Sequence, residues 1–205
     1  PFTNLTLSGV IWYQGEQDWN IPDQYRRHFT NLIADWRKQF KRPDLPFYFC
    51  QLPGFGRIVT DPNSNPPWAR LRNGQFLVSR NVPNTGMAVS IDIGDHSDIH
   101  PADKQTLGYR VAREAERLAY GRKGVTAGPM YESMKIEGDK IRLGFTNVGQ
   151  GLYVKGKKLN CFAIAGKDGK FVWANARVEG NSVLVWADSV KHPVAVRYAW
   201  ASYPG

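Results

Sequence analysis

The first 120 or so residues alternate between two rhythms of apolar positions. Short, nearly continuous apolar runs, "LTLSGVIWY", "FYFCQL" and "MAVSIDI", have the length and the β-branched or aromatic content of buried strands. Between them the period lengthens to that of a helix. Tyr25, Phe29, Leu32, Ile33, Trp36 and Phe40 share one face of "PDQYRRHFTNLIADWRKQF", for which Asn20 and Asp23 predict a cap pair. "KRPDLP" stops that helix, and a second is predicted at "WARLRNGQFLVSR" after the polar loop "PGFGRIVTDPNSNPP". A third is predicted from Pro101 to Tyr120, with Leu107, Val111, Ala115 and Leu118 on one face and Gly121 as its stop. The order β-α-β-α-β-α predicts an α/β fold with a parallel sheet between covering helices.

Past Gly124 the rhythm changes again. "KIRLGFT", "GLYVK", "NCFAIAG", "KFVWANARV", "SVLVWAD" and "VAVRYAWA" read as short strands, separated by "EGD", "KDG" and "EGN" turns. Residues 1–123 are therefore expected to form an α/β unit, and residues 124–205 an antiparallel, sandwich-like β appendage. Three parallel strands are few, since a doubly wound sheet has about five or six. Part of the sheet is expected to come from outside these residues.

Two polar clusters stand where this topology places ligands, beyond the carboxyl ends of parallel strands. After the first strand come Gln14, Gly15 and Glu16; after the third comes "DIGDHSDIH". A structural strand needs a turn at Gly15 but not an amide and a carboxylate on either side of it. Asp92, Asp95 and Asp98, taken singly, read as turn and cap residues. His100 does not. Standing before Pro101, it is expected at the N-terminal edge of the third helix, where the positive end of the dipole favours a neutral imidazole.

Composition narrows the classes. The chain has 205 residues, is 42% hydrophobic and carries a net charge of +9. That is globular composition with material for a core. The positive charge is dispersed, with no more than two basic residues in a row and no nucleic-acid motif, so solvated faces explain it and no nucleic-acid partner is expected. No apolar run approaches membrane-spanning length, and the first ten residues lack signal-peptide features, so no membrane association is expected. Cys50, inside an apolar run, and the distant Cys161 read as free thiols, not a metal pair or a disulfide framework.

"GVIWYQGEQDW", "WARLRNGQ" and "DIGDHSDIHPADKQTLGYRVAREA" resemble the sialate O-acetylesterase family, carbohydrate esterases of the SGNH-hydrolase superfamily, and "VAVRYAWASYPG" is similar to that family's closing β-segment. The resemblance implies part of a three-layer α/β/α, flavodoxin-like core with accessory β-structure. It implies a serine esterase that removes acetyl groups from sugar hydroxyls, secreted or periplasmic, without metal or organic cofactor. His100 of "DIHP" matches the catalytic histidine, and Gln14 and Gly15 match the block that contributes to the oxyanion hole. Glu16 and Trp12 stand beside that block as candidate substrate contacts. The family's nucleophile lies in a "GQSN"-type motif that none of Ser8, Ser64, Ser79, Ser90 or Ser97 provides. It is expected on a missing N-terminal half of the same enzyme, leaving these residues inactive alone. The acid orienting His100 is open between Asp98, Asp95 and a backbone carbonyl, because Ser97 stands where many SGNH enzymes have Asp. The substrate implied is an acetylated sugar, either a sialic acid or a polysaccharide acetyl ester.

Two other classes compete. Asp92, Asp95, His96, Asp98 and His100 could hold a divalent metal for hydrolysis. Alternatively, Trp12, Trp19 and Trp68 could serve as stacking platforms of a non-catalytic sugar-binding module.

Overall fold

The computed structural model describes residues 2–156 and 158–204. The parallel sheet is built from β1 (Val10–Trp12), β2 (Phe47–Cys50) and β3 (Thr85–Ala88), in that spatial order. Val10 stands beside Phe47, and Phe47 beside Thr85. The helices α1 (Pro22–Gln39) and α2 (Pro67–Asn81) pack together and cover one face, burying Tyr25, Phe29, Ile33, Leu71 and Val78 against Phe47 and Phe49. Helix α3 (Lys104–Tyr120) covers the other, setting Leu107 and Val111 against Tyr48, Cys50 and Ala88. Alternate β2 residues thus serve opposite layers, as the two-residue period of a strand requires. This is the expected α/β/α layering.

Several boundaries differ from the expectations. The first run yields only the three residues of β1, whose outer edge is unpaired among the described residues, and Ile11 is 69% exposed. The third run forms β3 and then a single 3₁₀ turn, Ile91–Ile93. The cap pair at α1 does not form. Ile21 occupies the cap without a side-chain bond, Pro22 begins the helix, and Asp23 instead pairs with Arg70 of α2. Helix α3 begins at Lys104 and not at Pro101, because Asp103 caps it by accepting the Thr106 backbone N–H (2.9 Å). His100 therefore lies in the loop before the helix. Dipole effects fade beyond the first turn, and His100 does not occupy the helix's N-terminal edge.

The β appendage has two antiparallel sheets. One runs β4 (Met130–Glu137), β5 (Lys140–Thr146), β9 (Ser182–Trp186), β8 (Asn175–Glu179); the other runs β10 (Ala195–Tyr198), β6 (Phe162–Ala165), β7 (Phe171–Trp173). Ile141, Leu143, Val183 and Val185 from the first sheet meet Phe162 and Ile164 from the second in a shared core. "KFVWANARV" is not one strand but two, divided at Ala174 between the sheets, and "GLYVK" forms no strand. Strand β4 is not among the expected strands. It is an edge strand exposed along most of its length; Met134 and Ile136 alternate with polar neighbours but neither is buried.

Candidate active site

The chain leaves β1 into a turn that only glycine can make. Gly15 has φ 138°, ψ −14°, and a Cβ there would meet Leu71 and Tyr25 at 3.3 Å. The turn is fixed from below: Tyr25 Oη donates to the Gln14 carbonyl (3.0 Å), and Gln75 Nε2 approaches the same oxygen (3.4 Å). Gln75 is fully buried; its Nε2 also donates to the Cys50 carbonyl (3.3 Å) and its Oε1 accepts the Leu52 N–H (2.8 Å). One side chain of α2 thus ties the mouths of β1 and β2 together. The Gln14 side chain donates through Nε2 to Asp18 Oδ2 (2.5 Å), within the 3₁₀ helix Glu16–Asn20 that follows.

Glu16, partly buried at the start of that helix, faces the sheet's mouth. Burial pushes the Tyr13 hydroxyl up to about 12 and the Cys50 thiol up to about 11, and the Glu16 carboxylate adds to both shifts. Cys50 is therefore a neutral thiol at physiological pH and no nucleophile. Lys104, the first residue of α3, sets its ammonium 5.7 Å from the Tyr13 ring. The turn after β1 and the segment leading into α3 therefore share one rim of the sheet. Among the described residues no hydrogen bond joins Gln14 or Glu16 to Asp98 or His100.

His100 and Asp98 occur together on the loop after β3. Asp98 Oδ1 accepts the His100 backbone N–H (2.8 Å) and lies 3.4 Å from His100 Nδ1, with both side chains exposed, 79% for His100 and 63% for Asp98. Asp95 is engaged elsewhere. Its Oδ1 accepts from Ser97 N–H and Ser97 Oγ (2.7 Å each) and from Asp98 N–H (3.3 Å), and the Ser97 bonds hold its carboxyl below the usual carboxylate range. Of the acids left open in the sequence, Asp98 is the one that meets the ring. Asp92 makes a two-armed ion pair with Arg110 of α3 (2.6 and 2.7 Å), which lowers its pKa. With Asp92 and Asp95 so committed, no three His, Cys, Asp or Glu residues among those described form a metal-holding group. The donor set proposed for a metal is not assembled.

Trp12 is placed in packing: its ring stacks on Phe29 (6.1 Å) and meets Trp36 edge-on (6.0 Å). Trp68 is buried and donates Nε1–H to the Pro53 carbonyl (2.7 Å). Of the three tryptophans offered as sugar platforms, Trp19 alone is exposed. Among the described residues no serine hydroxyl hydrogen-bonds to His100; those of Ser64, Ser79, Ser90 and Ser97 bond within their own turns or to a nearby loop. Sequence reasoning missed Arg72 and Gln75. The signal was present, for both fall on the face of α2 that also carries Trp68, Leu71 and Val78, an apolar stripe in which a polar residue needs a partner.

Residues 2–117 match the model of the family described as carbohydrate esterase, sialic acid-specific acetylesterase. The whole chain is 34% identical to sialate O-acetylesterase of Homo sapiens, covering 43% of that protein, and 33% identical to that of Mus musculus, covering 41%. Among solved structures it is similar to a carbohydrate acetylesterase from Xanthomonas citri, with 39% identity and a TM-score of 0.93 over the whole chain and 48% of that protein. The chain thus spans less than half the length of the relatives it matches.

Proposed function

Because the chain belongs to the sialic acid-specific acetylesterase family of carbohydrate esterases, we propose that it carries the general-base part of a sugar O-acetylesterase site. The observation that supports this most is the His100–Asp98 pair on the sheet's carboxyl rim. Asp98 faces Nδ1 and leaves Nε2 outward, the arrangement in which an imidazole accepts a hydroxyl proton. In this reading a serine from outside these residues attacks the acetyl carbonyl while His100 takes its proton. Donors at the Gln14–Gly15 turn stabilise the oxyanion. His100 then protonates the departing sugar oxygen, and water cleaves the acetyl-enzyme by the same steps.

The remainder of the protein is the partner this reading requires. Its support is the length shortfall against the relatives together with the unpaired edge of β1 and its exposed Ile11, which a further strand would cover. The substrate is an acetyl ester on a sugar hydroxyl, a class drawn from the relatives' names. The decisive experiment compares this chain with a protein of the relatives' full length on an activated acetyl ester. Turnover only by the long form, lost on His100→Ala, is expected. Robust turnover by the short chain, abolished by mutating one of its own serines, would overturn the assignment.

A further inference from the structure

We infer that Arg72 is a positioning residue for His100, acting through a three-segment clamp that includes the end of the β appendage. This rests on the reading of His100 as the general base. Arg72, on α2, is 4% exposed and has no carboxylate partner among the described residues. Its guanidinium bonds to backbone carbonyls on two separate segments: Pro53 (3.2 Å) in the loop after β2, and Ala201 and Ser202 (3.0 Å) beyond β10. Burial lowers its pKa to about 10, so it stays charged at neutral pH. A planar fork reaches three carbonyls at once, which an ammonium on a flexible stem does poorly.

The segment beyond β10 is thereby pressed onto the loop after β2. Phe55 N–H donates to the Ser202 carbonyl (3.0 Å), Ile58 bridges to Tyr203, and the Tyr203 ring lies against Gly54. The same loop carries the segment that leads to His100. Gly56 N–H donates to the His96 carbonyl (3.1 Å), and the His96 ring meets Tyr203 edge-on at 6.1 Å. Gly94 lies so close to Gly54 that a Cβ would run into its backbone. From His96 the chain passes through the turn capped by Asp95 to Asp98 and His100. Among the described residues no hydrogen bond or ion pair joins His100 to α3, which begins four residues later. The loop carrying His100 is anchored at Ile99, which packs against the core, and on its N-terminal side by this clamp, which Arg72 closes as its cation.

Backbone hydrogen exchange on this chain and its Arg72→Met and Arg72→Lys variants tests the clamp without requiring activity. With Met, exchange at Phe55 and Gly56 is expected to rise more than tenfold while the β2 amides keep their rates; Lys is expected to restore part of the protection. Unchanged exchange at Phe55 and Gly56, or equal acceleration throughout, would overturn the clamp. Should Arg72→Met fail to fold, Tyr203→Ala weakens the docking of the same segment on Gly54 and His96, and the same exchange pattern at Phe55 and Gly56 is expected. In the full-length protein, the variant should lower kcat at least tenfold on both a sugar acetate and a small aryl acetate, with KM unchanged. A local rise in exchange with kcat intact would overturn the role toward His100. If instead His100→Ala itself leaves turnover intact, the general-base reading fails while the exchange result still stands.

Discussion

Asp98 meets His100 twice: its Oδ1 accepts the histidine's backbone N–H at 2.8 Å and stands 3.4 Å from Nδ1 of the ring. The same carboxylate thus contacts both the backbone and the ring of His100, on the Nδ1 side.

That double contact separates the histidines. In the full-length protein His100→Ala is expected to lower kcat by roughly 10⁴-fold or more, the scale of deleting a triad member. Asp98→Asn should cost between about 10² and 10⁴-fold. His28→Ala, on the exposed face of α1, should be mild, and His96→Ala milder than His100→Ala, since His96 contributes its carbonyl to the Gly56 bond and its ring only to Tyr203. Steady-state kinetics on a small acetyl ester check the order. A greater loss from His96→Ala would move the base to that residue.

Gly15 tests the turn after β1. A side chain at φ 138° is strained, and the Cβ would press on Leu71 and Tyr25. Gly15→Ala should therefore destabilise the fold by about 1–3 kcal/mol in denaturant unfolding. Unchanged stability would show that the turn can relax without the sheet.

Gln75→Leu should also destabilise. The substitution fills much of the space but leaves the Leu52 N–H without its acceptor and removes the donor to Cys50 and Gln14. A buried group left unpaired costs about 1–3 kcal/mol. Chemical denaturation measures this, and a neutral result would mean that water replaces the amide.

What the sequence revealed and what it hid have physical causes. Helix α1 was legible because Tyr25, Phe29 and Ile33 repeat at the helical period and all are buried. That the Gln14 turn and the His100 loop leave the same end of the sheet follows from its parallel topology, since β1 and β3 run in one direction on either side of β2. Strand β4 was missed because its short alternation rests on only Met134 and Ile136, both left exposed at the sheet edge. The start of α3 was misplaced because Pro101 suits a first turn as well as the loop it occupies, and only the Asp103–Thr106 bond decides between them. The fate of Trp12 depended on which layer its strand face meets, and α1 claims it through Phe29 and Trp36. Arg72 was read only as part of a helix because two of its three carbonyl partners, Ala201 and Ser202, lie about 130 positions on.

The Asp92–Arg110 pair carries a pH signature. Its bonds to Arg110 put the folded pKa of Asp92 below the ordinary 3.8. A carboxyl depressed on folding contributes stability above its unfolded pKa and loses it as pH falls through the folded value. Between about pH 5 and 2, Asp92→Asn should therefore lose less stability than the parent chain, although it is the less stable of the two at neutral pH. Parallel acid-dependence curves would remove Asp92 as a contributor.

Gln14 decides what the turn after β1 does for the reaction. Its Nε2 has two hydrogens, and one donates to Asp18, which leaves the second for a ligand and fixes which way the amide faces. If that second donor meets the developing oxyanion, Gln14→Ala should lower kcat by about 10²–10³-fold with KM nearly unchanged. Asp18→Asn should give a smaller loss of the same kind, because the amide is no longer held in one orientation. Glu16→Gln, which keeps shape and removes charge, should hurt less than Gln14→Ala. Contact with the sugar ring predicts a different pattern: Gln14→Ala would raise KM for a sugar acetate and spare a small aryl acetate that has no ring to lose. Both substrates on the same full-length variant separate the roles. Equal kcat losses assign Gln14 to the oxyanion, and a loss confined to the sugar ester assigns it to substrate binding.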